Sequence, residues 1–203
     1  PLRRLQVDCI DLYQSHRDDA ATPQEETLET YAHLIKAGKV RAIGASNFTA
    51  QRLAQALEIS RRQGLPRYES LQPQYNLYDR GEFEQDLQKL CVDEGIGVIN
   101  YYALAAGFLT GKYRTNADAA KSARGKTTVG KYLNDRGTRI LAALDQVAAS
   151  TGSTPTRVAI ARHMAQPGLP APTASATALT QLAPLIAAAQ RAEPAPAIAA
   201  PAH

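Results

Sequence analysis

The chain has 203 residues, of which 44% are hydrophobic and 21% are charged, and its formal net charge is +4. This composition is typical of a globular protein with a buried core, and the length fits one large domain or two small ones. The basic residues are scattered and are not interleaved with aromatic residues, which argues against nucleic-acid binding. The sequence shows no signal peptide and no apolar run long enough to span a bilayer, so we expect no membrane partner.

The two cysteines, Cys9 and Cys91, lie within apolar stretches and follow neither a metal-binding nor a redox spacing. This placement predicts buried thiols in a reducing compartment, which we expect to be the cytoplasm, and it predicts no metal site. The sequence opens with Pro1 and its single methionine is Met164, so we expect that it is not a complete translation product and that an upstream part was cleaved, omitted or lost.

Short apolar runs alternate with amphipathic stretches along the chain. The predicted strands lie within residues 5–17, 40–45, 68–72, 96–101 and 170–176. The predicted helices cover residues 23–37, 49–64, 82–94, 140–147, 154–164 and 179–186. Strands that alternate with helices at this spacing predict right-handed crossovers and a parallel sheet.

Two stretches lack this pattern. Residues 102–134 are predicted to form a long loop with a mobile segment rich in Lys, Arg, Ala and Gly. Residues 191–203 are mainly Ala and Pro and can bury little apolar surface, so we predict a folded portion over residues 1–190 and a disordered tail after it. Pro184 falls inside the last predicted helix and should kink or end it.

Polar residues follow the first three predicted strands. His16 comes just after the first strand, at the carboxyl end, where α/β barrels carry their chemistry. A histidine at this point can equally well cap the strand and face solvent. Ser46 and Asn47 follow the second strand, where they can also cap the next helix, and Gln72 ends the third.

Three motifs in unbroken order resemble the aldo-keto reductase family: Gly-Ala-Ser-Asn at 44–47, Leu-Gln-Pro-Gln-Tyr-Asn at 71–76, and Gly-Phe-Leu-Thr-Gly-Lys-Tyr at 107–113. Residues 5–17 resemble the family's fourth strand, and the resemblance continues to about residue 190. It implies an α/β fold of the (β/α)8 TIM-barrel type, here an incomplete barrel of about five β/α units. It also implies a nicotinamide dinucleotide, usually NADP, bound across the carboxyl ends of the strands.

The resemblance implies roles for particular residues. His16 matches the histidine that orients the substrate carbonyl, which belongs to a small aldehyde or ketone. The implied cofactor-binding residues are Ser46, Asn47, Gln72, Tyr101, Leu104, Ala105, Gly107, Lys112, Ser175, Thr177 and Gln181. Of these, Tyr101 would stack on the nicotinamide ring and Lys112 would meet the pyrophosphate. Tyr101 could instead be a core tyrosine, and Lys112 a solvated surface lysine.

The chain departs from the family pattern at several positions. Tyr102 replaces a small hydroxyl residue near the phosphates, Thr177 stands where many members have an arginine, and Pro184-Leu185 replaces a Glu-Asn pair near adenine. These departures leave the choice between NADP and NAD open. The first three strands of the barrel, with the family's aspartate, tyrosine and lysine, have no counterpart in this sequence.

Three hypotheses follow. The first is that the chain is part of an NAD(P)H-dependent carbonyl reductase, is inactive in isolation, and self-associates through its open barrel edges. The second is a non-catalytic module that senses nicotinamide nucleotides, as in family members that serve as regulatory subunits. The third is a decayed gene product, which the Ala/Pro tail and Pro184 would fit.

Overall fold

The computed structural model describes residues 1–176 and 178–190. Strands β1 to β4 span Ile10–Ser15, Val40–Ser46, Tyr68–Gln72 and Gly97–Val98. Helices α1 to α8 span Leu2–Leu5, Gln24–Lys36, Ala50–Gln63, Asp86–Asp93, Gly125–Tyr132, Asp135–Ser150, Pro155–Met164 and Leu179–Gln190. Two short 3-10 helices lie at Ala105–Thr110 and Asn116–Lys121.

The chain divides into two compact units. Unit 1 contains Pro1–Pro73 and Phe83–Ile99, and unit 2 contains Gln74–Glu82 and the chain from Asn100 onward. Unit 1 holds all four strands in the order β1-β2-β3-β4, and each neighbouring pair is parallel. The prediction of an α/β fold with a parallel sheet is therefore confirmed.

Helix α3 shows how the sequence determines the elements of unit 1. The Thr49 side chain accepts a hydrogen bond from the backbone N–H of Arg52, which caps the helix at its start. Gly64 ends the helix in a left-handed conformation with φ of 66°. Between these caps, Leu53 and Leu57 are buried at helical spacing.

Gly44 in β2 occupies a crowded position between the neighbouring strands. The register of β2 with β3 shifts between Ile43 and Gly44. A Cβ atom on Gly44 would overlap the Ser70 hydroxyl and would lie 2.9 Å from the Gln14 Cγ. Only glycine allows the three strands to approach this closely.

The sheet is shorter than the sequence predicts. Strand β4 contains only Gly97–Val98, whereas the prediction was 96–101. The predicted strand at 170–176 is wrong, because these residues are not in a strand. Within unit 2, the Thr173 N–H donates a backbone hydrogen bond to the Asn100 carbonyl at 2.9 Å.

In unit 2, the prediction of a long loop over residues 102–134 is also wrong. This stretch contains both 3-10 helices and α5. Thr115 and Asp118 form a reciprocal capping box at the start of the second 3-10 helix. Phe108 and Tyr113 are fully buried and pack in one cluster with α5 and α6. Apolar burial therefore orders the segment despite its polar composition.

The sequence predicts that Pro184 kinks or ends the last helix; helix α8 continues through Pro184, so the second of these alternatives is wrong. Pro184 is the sixth helical residue, and the hydrogen bond that it cannot donate is the one to the Thr180 carbonyl. The predicted tail at 191–203 lies outside the described residues. Among residues 1–176 and 178–190, no helix combines the length and apolar character that crossing a membrane requires.

Candidate functional site

In unit 1, the carboxyl ends of three adjacent strands present the predicted polar residues side by side. Ser15, the residue before His16, pairs with Ala45 across β1 and β2, and Ser46 pairs with Gln72 across β2 and β3. The register therefore places His16, Ser46, Asn47 and Gln72 along one edge of the sheet. The structure brings together the four predicted site residues that lie in unit 1.

A row of hydrogen bonds connects these strand ends. The Ser46 hydroxyl donates to the Gln72 carbonyl at 2.7 Å. The Asn47 amide donates to the Ser46 hydroxyl at 3.1 Å and to the His16 carbonyl at 2.8 Å. The row fixes the backbone after β1 and β2 relative to β3, so the residues at this edge are held in place before any ligand arrives.

The row leaves groups available for a ligand. Ser46 is buried, and its hydroxyl oxygen has two acceptor lone pairs, of which Asn47 uses one. The His16 side chain is exposed and that of Gln72 is half-buried. Asn47 has a left-handed backbone with φ of 56°, which is uncommon for a residue other than glycine and is typical of functional loops.

The loop after His16 is held by an ion pair that the sequence analysis missed. The Arg52 guanidinium makes two hydrogen bonds to the Asp18 carboxylate, at 2.6 and 2.9 Å. These residues are 34 positions apart, so no spacing rule could have identified them. Since Asp18 lies two residues after His16, the pair limits how far that loop can move.

Three hydroxyl groups meet below the His16 end of β1. The Ser15 hydroxyl lies 2.7 Å from the Tyr31 hydroxyl and 3.4 Å from that of Tyr68. Burial raises the pKa of Tyr68 to about 12. A phenol with so high a pKa is a poor proton donor at neutral pH, and the cluster is best understood as structural support for the strand ends.

In unit 2, Tyr101 follows β4 and forms an isolated parallel bridge with Gln74. Its ring is half-buried and lies 5.3 Å from the ring of Tyr102, which is exposed. Tyr102 has a φ of 57°, so the backbone turns sharply directly after Tyr101. A half-buried aromatic ring at such a turn can offer a face to a flat ligand.

The predicted phosphate loop is a compact turn. Ala105, Ala106 and Gly107 all have positive φ, a concentration of strained backbone that suggests function. However, the N–H of Ala105 donates to the Tyr102 carbonyl at 2.7 Å, and that of Gly107 donates to the Leu104 carbonyl at 2.9 Å. These two amides therefore serve the turn itself, and the Ala105 side chain belongs to the core.

Lys112 supplies the positive charge at this turn. Its ammonium lies 4.9 Å above the Tyr113 ring and beside Gly107, where an added Cβ would be 3.1 Å from the Lys112 Nζ. The carbonyl of Lys112 accepts a hydrogen bond from Lys121 at 2.8 Å, which anchors its backbone. The cation is therefore held close to Gly107 in the turn.

The remaining predicted residues lie near the last helix. Ala174, the neighbour of Ser175, packs in the same small cluster as Leu104 and Leu185 of α8. Gln181 lies in the first turn of α8, and both Ser175 and Gln181 have exposed side chains. Thr177 lies outside the described residues.

Unit 2 contains a cluster of polar residues around Asp79 that the sequence did not predict. The Asp79 Oδ2 accepts hydrogen bonds from Gln74, Asn76, Lys131 and Tyr132, at 2.9, 3.0, 3.2 and 2.8 Å. Burial acts to raise the pKa of Asp79, but the donors from Asn76, Tyr132 and Lys131 outweigh it and lower the pKa. The cluster ties residues 74–79 to α5.

A parallel sheet with connecting helices and polar groups at its carboxyl ends is the arrangement of α/β enzymes that bind ligands at strand ends. A family model described as the aldo/keto reductase family matches residues 1–195. This chain therefore belongs to the aldo/keto reductase family.

Several proteins of known name are similar to the chain. It is 31% identical over 185 residues to a probable voltage-gated potassium channel subunit beta of Arabidopsis thaliana, covering 89% of this chain and 56% of that protein. It is 41% identical over 111 residues to aldo-keto reductase YhdN of Bacillus subtilis, covering 55% and 31% of the two chains. It is 30% identical over 164 residues to L-glyceraldehyde 3-phosphate reductase of Escherichia coli, covering 78% and 47%. The chain thus spans about a third to a half of the length of these relatives.

Proposed function

We propose that this chain is part of an NAD(P)H-dependent reductase of aldehydes or ketones, and that its residues bind the nucleotide and orient the substrate carbonyl. The observation that carries the proposal is the hydrogen-bonded row of Asn47, Ser46 and Gln72 at the strand ends beside His16. Membership of a family that includes named reductases supports it.

The strand-end groups of unit 1 fit a nicotinamide carboxamide, which has both hydrogen-bond donors and an acceptor. The free lone pair of the Ser46 hydroxyl can accept from the carboxamide N–H₂, and the Gln72 side-chain amide can both donate and accept. Because Asn47 and Ser46 already hold one another, these groups would lose little freedom on binding.

The groups of unit 2 fit the aromatic and anionic parts of a dinucleotide. The Tyr101 ring would pack against the nicotinamide, and the Lys112 cation would interact with the phosphates. Because the amides of Ala105 and Gly107 are used within their own turn, we assign the phosphate interaction chiefly to Lys112. We propose NADP as the cofactor, with NAD as the alternative.

When bound, the reduced nucleotide supplies a hydride to the carbonyl carbon. The exposed imidazole of His16 would donate a hydrogen bond to the carbonyl oxygen, which gains negative charge as the hydride arrives. The Asn47 amide holds the His16 carbonyl and so fixes the end of β1. The family's tyrosine, lysine and aspartate have no match in this sequence, so we propose that the chain alone does not turn over substrate.

A fluorescence titration tests the proposal. The 203-residue chain would be titrated with NADPH, with NADH as comparison, and each titration repeated for Tyr101→Phe and Tyr101→Ala. We expect saturable binding that Tyr101→Phe retains and Tyr101→Ala weakens about tenfold, since only phenylalanine keeps the aromatic face. Absence of binding, or equal affinities for the two variants, would overturn the proposed role.

A regulatory function is the second candidate, because the match to the plant channel subunit beta covers 89% of the chain. A sensing module would bind NADPH in the same titration but would have no use for a carbonyl-orienting group. The two proposals therefore differ at His16. In a full-length protein that contains this chain, His16→Ala should lower kcat for carbonyl reduction in the first case. In the second case, the same substitution should leave NADPH binding and the regulatory function unchanged.

We propose a cytoplasmic location for the protein. Cys9 and Cys91 are both free thiols, and burial raises the pKa of Cys91 to about 12. Cysteines that remain free thiols are typical of proteins in a reducing compartment. Localisation of a tagged protein by microscopy or fractionation tests this assignment, and an extracytoplasmic signal would contradict it.

A further inference from the structure

Asn100 is a fully buried polar residue two positions after β4. Its side-chain amide donates a hydrogen bond to the Tyr75 carbonyl at 2.6 Å, and its own carbonyl accepts one from the Thr173 N–H at 2.9 Å. The Asn100 Oδ1 has no partner among the described residues. The side-chain amide and the backbone carbonyl of Asn100 thus connect three separate stretches of unit 2, around residues 75, 100 and 173.

The Asn100 bond lies directly beside Tyr101. The N–H of Tyr75 donates to the Tyr101 carbonyl at 3.3 Å, and Gln74 forms a parallel bridge with Tyr101. The amide of Asn100 holds the other polar group of Tyr75, its carbonyl. Both backbone groups of Tyr75 are therefore bound to the 100–101 segment, in a region where regular strand pairing has ended.

The chain is also fixed on the other side of Tyr101. The Nε2 of the buried residue His163 lies 2.9 Å from the Ala103 carbonyl. The His163 ring packs edge-on against the ring of Tyr75, with centroids 5.1 Å apart. Tyr75 therefore contacts Asn100, which precedes Tyr101, and His163, which binds the backbone after Tyr101.

Burial of the Asn100 amide has a cost. A buried acceptor without a hydrogen bond is unfavourable, and an apolar side chain of similar volume would avoid it. Stability alone therefore does not account for an amide at this position. The feature that an apolar residue could not reproduce is the directed bond to the Tyr75 carbonyl.

We infer that Asn100 is a positioning residue: through Tyr75, it holds the backbone at Tyr101 so that the Tyr101 ring is ready to stack on a nicotinamide. The inference rests on the proposed cofactor role of Tyr101. Asn100 itself touches neither substrate nor cofactor in this account. Removing its amide should therefore act on binding only through Tyr101.

The test compares Asn100→Leu with the control Thr128→Val, each introduced into the 203-residue chain. Leucine keeps the branched shape of asparagine, with larger terminal groups, and cannot donate a hydrogen bond. Thr128 is also buried in unit 2, and its hydroxyl donates to a backbone carbonyl, that of Arg124, at 2.9 Å. The two variants therefore remove the same kind of bond, and only one of them lies beside Tyr101.

The first readout is amide hydrogen exchange. Asn100→Leu should accelerate exchange of the Tyr75 and Thr173 N–H groups about tenfold or more, because both bonds depend on the position of residue 100. Thr128→Val should leave both amides unchanged. Unchanged exchange in Asn100→Leu would overturn the inference, whatever the cofactor does.

The second readout is NADPH affinity, measured with Tyr101 present and in a Tyr101→Ala background. We expect Asn100→Leu to weaken binding about fivefold with Tyr101 present and less than about twofold without it. An equal loss in both backgrounds would overturn the inference, because Asn100 would then not act through Tyr101. If the unmodified chain bound no NADPH, the proposed function would fail and the stacking part of this inference with it, while hydrogen exchange would still decide the backbone part.

Discussion

Replacement of Ser46 by alanine tests the strand-end row most sharply. The substitution removes a buried hydroxyl that donates to the Gln72 carbonyl at 2.7 Å and accepts from the Asn47 amide at 3.1 Å. Loss of this buried hydrogen bond to the Gln72 carbonyl costs about 1–2 kcal/mol. With a urea m value of about 2 kcal/mol/M, the unfolding midpoint should fall by roughly 0.5–1 M.

The same substitution should weaken NADPH binding. The second lone pair of the Ser46 hydroxyl would no longer accept from the carboxamide, and Asn47 would lose its hydrogen bond to Ser46. Loss of one such hydrogen bond, worth about 1 kcal/mol, raises Kd roughly fivefold. Fluorescence titration with NADPH measures this change directly.

Ser60→Ala is the matched control for Ser46→Ala. Ser60 is buried to a similar degree in the same unit, and its single hydroxyl proton has two acceptors within reach, the carbonyls of Ala56 and Pro66 at 3.0 and 2.9 Å. It should lose a similar stability with an unchanged Kd for NADPH. If Ser46→Ala bound NADPH as tightly as Ser60→Ala, the assignment of the strand-end row to the cofactor would be refuted.

Three further substitutions have defined outcomes. Gly44→Ala should destabilise unit 1 by about 2 kcal/mol or more in urea unfolding, because its Cβ would overlap side chains of the neighbouring strands. Gly81→Ala, with open space around it, should be nearly neutral, and equal effects of the two substitutions would contradict the crowding argument. Lys112→Ala should weaken NADPH binding about tenfold at low salt and less at high salt. Replacement of the exposed Lys126 by alanine should leave NADPH affinity unchanged at either salt concentration, and a loss at Lys112 that did not depend on salt would argue against a phosphate contact. Because the pKa of Asp79 is lowered in the folded state, its stabilisation is complete above the ordinary carboxylate value of about 4 and is lost as the pH falls through the lowered pKa. Asp79→Asn should therefore be less stable than the unmodified chain by about 1–2 kcal/mol at pH 7, and the difference should shrink below about pH 4; a difference that stayed constant with pH would contradict this assignment.

The first three strands and helix α3 could be predicted from the sequence because their signals are local. Apolar runs of strand length stand between polar strand ends, and caps such as Thr49 and Gly64 mark helix ends directly. The positions of Ser46 and Gln72 at one sheet edge follow from the parallel order, since parallel strands align their carboxyl ends.

The parts that could not be predicted depend on contacts between distant residues. The sequence predicts a loop over residues 102–134 because this stretch lacks a local helical pattern. Its order comes instead from the burial of Phe108 and Tyr113 against α5 and α6. An apolar run alone does not make a strand at 170–176, where the structure shows a backbone hydrogen bond from Thr173 to Asn100 and no strand pairing among the described residues. The same limit hid the cluster around Asp79, whose partners in α5 are more than fifty residues away.

An amide NMR titration of the chain with NADPH tests directly whether the strand-end row binds the nucleotide. The side-chain amides of Asn47 and Gln72 and the backbone amide of Ser46 should shift on addition of the nucleotide. The amide of Gly64, at the far end of α3, should not. Saturable binding that shifted Gly64 and left the three strand-end residues unchanged would refute the assignment of this row to the cofactor.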